Sequence, residues 1–163
     1  MRMRFLPRLS TSKGKLRSGV AGGLEVHAAT FPRRRDMVLD SALLTHPKEL
    51  ARVLTHEVFH FVWVRLANAK RRSYEELVRL EMAARARGEL GWPSQVVKNS
   101  LTAEDVAGRS RRWREYACES FCDSAAWLYS GIRSHEEWSL AQRFRSRRRK
   151  WFEALIDGGP LVL

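Results

Sequence analysis

The chain has 163 residues, of which 44% are hydrophobic, and 30 Lys plus Arg stand against 18 acids to give a net charge of +12. That length is enough for one domain around a single core. No run of eighteen apolar residues is present to span a bilayer, and the basic start Met1 to Arg8 has no apolar stretch after it to serve as a secretory signal. The positive excess favours an acidic partner or nucleic acid, yet no sequence signature of a nucleic-acid-reading fold occurs.

In chain order, residues 1–23 are basic with Ser, Thr and Gly and read as a partly ordered N-terminal arm, leaving 24–163 as a single domain. Leu24, Val26 and Ala28 alternate, which predicts a short strand over Leu24 to Thr30. A second strand is expected over Asp36 to Leu44. It directly precedes a helix. Thr45-His46-Pro47 is a helix start, with proline suited to the first turn, and the helix runs to about Asn68. A Ser73-x-x-Glu76 capping box opens a second helix that ends near Gly88. Residues 89–101, with Gly91, Trp92 and Pro93, read as a loop, and Thr102 to Val106 as a short helical turn. A helix follows over Ser110 to Tyr129. A last one spans His135 to Ile156, with an apolar face of Trp138, Ala141, Phe144, Phe152 and Leu155, and Gly158-Gly159-Pro160 ends it. The fold class is α+β and predominantly helical, with a small sheet next to the first helix. The two cysteines, Cys118 and Cys122, lie at i and i+4 on one helix. That spacing is poor for a disulfide, and the absence of a secretory signal points to a reducing, cytoplasmic setting.

The first helix contains His56-Glu57-Val58-Phe59-His60. Positions i and i+4 share a helix face, so two imidazoles can converge on one ion, while Glu57 stands about 100° round the helix. Two histidines and a neighbouring carboxylate in this order suit a zinc ion and a general base for its water. From Leu50 to Leu66 the helix is apolar nearly all round, so polar groups in it must be partnered. A catalytic zinc takes a third protein ligand. Positions 63 and 66 are Trp and Leu, which excludes the metzincin pattern of Gly and His there. Glu115, Glu119 and Asp123 form an acidic line at i, i+4 and i+8 on the later helix. Glu115 and Glu119 are candidates, and His135 is a further one.

H-E-x-x-H followed by a helix bearing E-x-x-x-D resembles the gluzincin branch of zinc metallopeptidases. The run Glu119-x-x-Cys122-Asp123-x-x-Ala126 resembles the form found in membrane-linked and small soluble members. The resemblance implies a zincin-like minidomain with one Zn2+ per chain on His56, His60 and Glu119. It implies Glu57 as general base and Asp123 as the carboxylate that hydrogen-bonds a ligand histidine, His56. It also implies hydrolysis of a peptide or protein substrate, with the strand over Asp36 to Leu44 as the candidate sheet edge that pairs with the extended peptide. Tyr116, Tyr129, His135 and nearby arginines are candidates for stabilising the oxyanion, and the sequence does not choose among them. The alternative function is a non-proteolytic zinc-binding regulatory protein that uses the basic surface to hold nucleic acid or another polyanion.

Overall fold

A computed structural model describes residues 1–19 and 22–162. From Arg2 to Asp40 the chain is mostly extended. Among the described residues it forms six strands, β1 (Arg2–Leu6), β2 (Leu9–Ser12), β3 (Lys15–Ser18), β4 (Leu24–Glu25), β5 (Ala28–Phe31) and β6 (Asp36–Asp40). In one sheet β6 is central, parallel to β1 and antiparallel to β5. In the other, β2 lies between antiparallel β3 and β4.

The expected basic arm is therefore corrected for residues 2–18, which are built into both sheets. Arg2 lies opposite Asp36 in the register, and its Nε and Nη2 donate to the two carboxylate oxygens at 2.7 and 2.8 Å. Val20 and Ala21 of that expected arm lie outside the described residues, as does Leu163. The strand expected over Leu24 to Thr30 is split between the two sheets. The strand expected over Asp36 to Leu44 ends at Asp40, whose carboxylate accepts Leu9 N at 2.7 Å and Ala42 N at 2.8 Å. β6 is also not a free edge: Met37, Val38 and Leu39 are buried between β1 and β5, which are the two edges of the sheet.

Among the described residues six helices form, α1 (Pro47–Arg65), α2 (Asn68–Ala83), α3 (Trp92–Asn99), α4 (Ala103–Ala107), α5 (Arg111–Tyr129) and α6 (Gln142–Asp157). The fold is α+β and predominantly helical. α1 is buried on two sides. Val53 and Phe61 pack with Met37, Leu39 and Leu43 under the sheet. Phe59, Val62 and Trp63 pack with Tyr74, Trp113, Phe121 and Phe152 of α2, α5 and α6. Each such side chain contributes about 1.5–3 kcal/mol when fully buried, which holds α1 between the two layers. None of the helices is long and apolar enough to cross a membrane.

Several helix boundaries differ from expectation, among them the end of α2, which lies at Ala83 rather than near Gly88. α1 stops at Arg65 and α2 begins at Asn68, so Ser73 is interior to α2 and its hydroxyl donates to Lys70 O at 3.1 Å rather than capping. The expected loop 89–101 contains α3, with Gly91 as N-cap and Pro93 in the first turn. α6 starts at Gln142 instead of His135.

A buried charge network ties α2, α3, α5 and α6 together. The fully buried Arg148 donates to Glu81 Oε2 at 2.7 Å and to Glu89 Oε2 at 2.8 Å. Glu89 Oε1 accepts from Tyr116 at 2.6 Å and from Lys98 at 2.9 Å. Burial works to raise the Glu89 carboxyl, but Arg148 and Lys98 outweigh it and hold it below the usual carboxylate range.

Candidate metal centre

Helices α1 and α5 lie side by side and run in opposite directions, so His60 meets Cys118 and Glu119 while His56 meets Asp123. The Nε2 atoms of His56 and His60 are 3.2 Å apart. Glu119 Oε2 lies 3.3 Å from the first and 3.8 Å from the second. Three donor atoms from two helices therefore face one point. Glu115, one turn earlier on α5, is exposed beside Asp105, Arg111 and Arg112 and does not join them.

The other nitrogen of His56 is fixed. Nδ1 donates to Asp123 Oδ1 at 2.8 Å, and Asp123 Oδ2 accepts Ser94 N at 3.1 Å. Asp123 is fully buried and sits against the N-terminal turn of α3, whose N–H groups favour a negative charge. The approach is so close that a Cβ on Gly91 would fall 2.2 Å from Asp123 Cγ. With Nδ1–H committed to Asp123, the lone pair of His56 is on Nε2, toward the shared point.

The acidic neighbours shift both imidazoles in the same direction. Burial lowers His56, but Asp123, Glu119 and Glu57 outweigh it and raise it well above the usual imidazole range. Burial also opposes protonation of His60, but Cys118 and Glu119 prevail and push it up to about 9. Cys118 Sγ stands 3.5 Å from His60 Nδ1, behind the ring as seen from the shared point. Contact with Cys122 and His60 draws the Cys118 thiol down, whereas burial pushes Cys122 up and keeps it a thiol. Two groups, His56 with His60 and Cys122, and His60 with Cys118 and Glu119, keep their donor atoms within 4.8 Å of one another and can hold a metal ion.

Glu57 is buried and lines a cleft of about 380 Å³ beside this centre. One wall is α1, with Arg52, Val53 and His56. A second is the segment Leu24 to Ala28 that leads into β5. Trp92, Pro93 and Glu137 complete the third. The sheet is thus next to the His56–His60 helix, and Thr30 of β5 donates to Glu57 O at 3.4 Å.

The three expected oxyanion groups lie elsewhere. Tyr116 is fully buried with its hydroxyl on Glu89. Tyr129 stacks on Phe59, with ring centroids 5.7 Å apart. His135 Nε2 is 3.2 Å from Glu49 and does not line the cleft. The basic groups that line the cleft besides His56 are His27 and Arg52, the latter with its Nη1 donating to Glu137 at 3.1 Å. Arg52 stands one turn before His56 on the same helix face, a spacing visible in the sequence. His27 had only the rarity of histidine to mark it. Compared with family models, curated proteins and solved structures, the chain matches none of them.

Proposed function

We propose that this chain is a zinc-dependent metallopeptidase of the gluzincin type, with His56, His60 and Glu119 as ligands. The observation that carries the reading is the spacing of the three facing donor atoms, 3.2, 3.3 and 3.8 Å. Ligands bonded to a tetrahedral zinc at about 2.0–2.2 Å stand about 3.3–3.6 Å from each other. Bound zinc would supply Lewis-acid activation of a water and of the scissile carbonyl.

The protein side of the chemistry follows from the cleft. Glu57, one residue past a ligand, accepts the proton of the attacking water and delivers it to the leaving amine. Asp123 keeps His56 in the ligating tautomer and orientation. The open edge of β5 pairs with the backbone of an extended peptide and lays it across α1. His27 and Arg52, which share the cleft with Glu57, stabilise negative charge that develops on the carbonyl oxygen.

The test is metal content by mass spectrometry together with hydrolysis of a mixed peptide library. Wild type should hold one zinc, Glu119→Ala should lose it and Glu115→Ala should keep it. Glu57→Gln should keep zinc and lose about 10²–10⁴-fold in rate. A wild type that stays metal-free after zinc is supplied refutes the proposal. A zinc-bound wild type that cleaves no peptide leaves the non-proteolytic regulatory protein as the function.

A further inference from the structure

Six of the eight residues from Arg143 to Lys150 are cations. They occupy the N-terminal half of α6, whose first turn has no acidic residue. Cations at that end oppose the helix dipole. The structure separates them by role. Arg148 is consumed by Glu81 and Glu89, and Arg145 donates to the carbonyls of Trp138 and Leu140. Arg143, Arg147, Arg149 and Lys150 are exposed, and among the described residues none of the four makes an ion pair.

Aromatic rings hold three of these four. The guanidinium groups of Arg143 and Arg147 lie 4.7 and 5.8 Å from the centroid of Phe144, and that of Arg149 lies 4.9 Å from Trp127. A guanidinium settled on an aromatic face loses less freedom when it binds, and its planar fork matches phosphate oxygens. Arg143, Arg147 and Lys150 follow i, i+4 and i+7, so they line one side of the helix over roughly 10 Å. That length faces about three phosphates of one strand.

We propose that this face of α6 binds nucleic acid through the phosphate backbone, without reading sequence. A membrane surface fits less well. Interfacial helices offer large apolar side chains to the lipid, whereas Phe144, Phe152 and Leu155 of α6 are buried in the protein. This surface is separate from the metal centre, and the proposal stands or falls without the peptidase reading.

The experiment is fluorescence anisotropy of the purified full chain with a labelled DNA duplex of mixed sequence over a salt series. Three phosphate contacts, from Arg143, Arg147 and Lys150, predict a slope of log K against log salt of about −2.7, or about 40-fold weaker binding at 200 mM than at 50 mM. Arg143→Gln/Arg147→Gln should bring the slope to about −0.9, or about 3.5-fold over that range. Lys150→Gln, which touches no aromatic ring, should lower the slope magnitude by about 0.9 on its own and guards against misfolding of the double variant. Arg33→Gln/Arg34→Gln removes equal charge elsewhere and should leave the slope unchanged. Three results overturn the proposal: no duplex binding at low salt, an equal effect of the Arg33/Arg34 pair, or binding to phosphatidylserine vesicles without binding to DNA.

Discussion

Replacing Gly91 by Ala probes how tightly α3 is seated on the metal centre. The backbone of Gly91 is extended, with φ −172°, so alanine meets no conformational penalty there and only space is at issue. The new Cβ would lie 2.2 Å from Asp123 Cγ and Oδ1 and 2.5 Å from Oδ2. Reaching the 3.4 Å of an ordinary contact needs a displacement of about 1.2 Å. Asp123 cannot yield that freely, since His56 holds one oxygen at 2.8 Å and Ser94 N the other at 3.1 Å. A shift of that size breaks at least one of these bonds. Overpacking costs about 1–3 kcal/mol. For a domain of this size that is a fall in melting temperature of about 2–12 °C. Loss of the carboxylate behind a ligand histidine costs about 10–100-fold in metal affinity. The assay is thermal melting in chelator followed by zinc titration against a fluorescent competitor. If Gly91→Ala binds zinc within about threefold of wild type and melts at the same temperature, the close seating of α3 on Asp123 is refuted.

Other perturbations test the core and the cleft. Arg148→Met leaves Glu81 buried without its cation and Glu89 with Lys98 alone, and should lower stability by about 3–5 kcal/mol in urea unfolding. Because Glu89 has its carboxyl held below the usual range in the folded state, its contribution is complete above the unfolded value of about 4.3 and is lost as pH falls through the folded one. The urea midpoint of wild type should therefore drop below pH 4.3 more steeply than that of Glu89→Gln. His27→Ala should lower kcat by about 10²–10³-fold with zinc content unchanged, read by peptide hydrolysis and metal analysis. An unaltered kcat would remove His27 from the chemistry.

The parts legible in the sequence were those with long, strong periodicity. α5 runs from Arg111 with Ser110 as its cap, close to the expected span, because nineteen residues give an apolar stripe ample room to show. The spacing of Glu119 and Asp123 led to two positions that lie against the histidines, whereas nothing in the spacing marked Cys118, which stands 3.5 Å from His60. What escaped was short or set by distant partners. α3 has eight residues, too few for a stripe, and its Gly91 and Pro93 serve as helix-start residues although they also read as loop. β1 is recognisable only through its pairing with β6, thirty-four positions away, including the ion pair of Arg2 and Asp36. The split between α1 and α2 has no Gly or Pro to mark it; Trp63 and Tyr74 pack edge to face across it, with centroids 6.1 Å apart. Tyr116 looked available for catalysis because a sequence does not show that Glu89 and Arg148 claim it inside the core.

The first turn of α3 is fastened at two points only two residues apart. Trp92 N donates to Glu137 on the cleft wall at 2.7 Å, and Ser94 N donates to Asp123 behind the histidine at 3.1 Å. Trp92 itself is 66% exposed at the rim of the cleft. In the proposed peptidase, a ligand that displaces Trp92 would shift the same turn that holds the carboxylate behind His56. Linkage would make the exchange reciprocal: whatever factor an occupant of the cleft imposed on affinity for the ion, the ion would impose on affinity for the occupant. Retention of the ion and capture of a peptide would then be one equilibrium observed from two ends, with the pitch of a short helix as its coordinate.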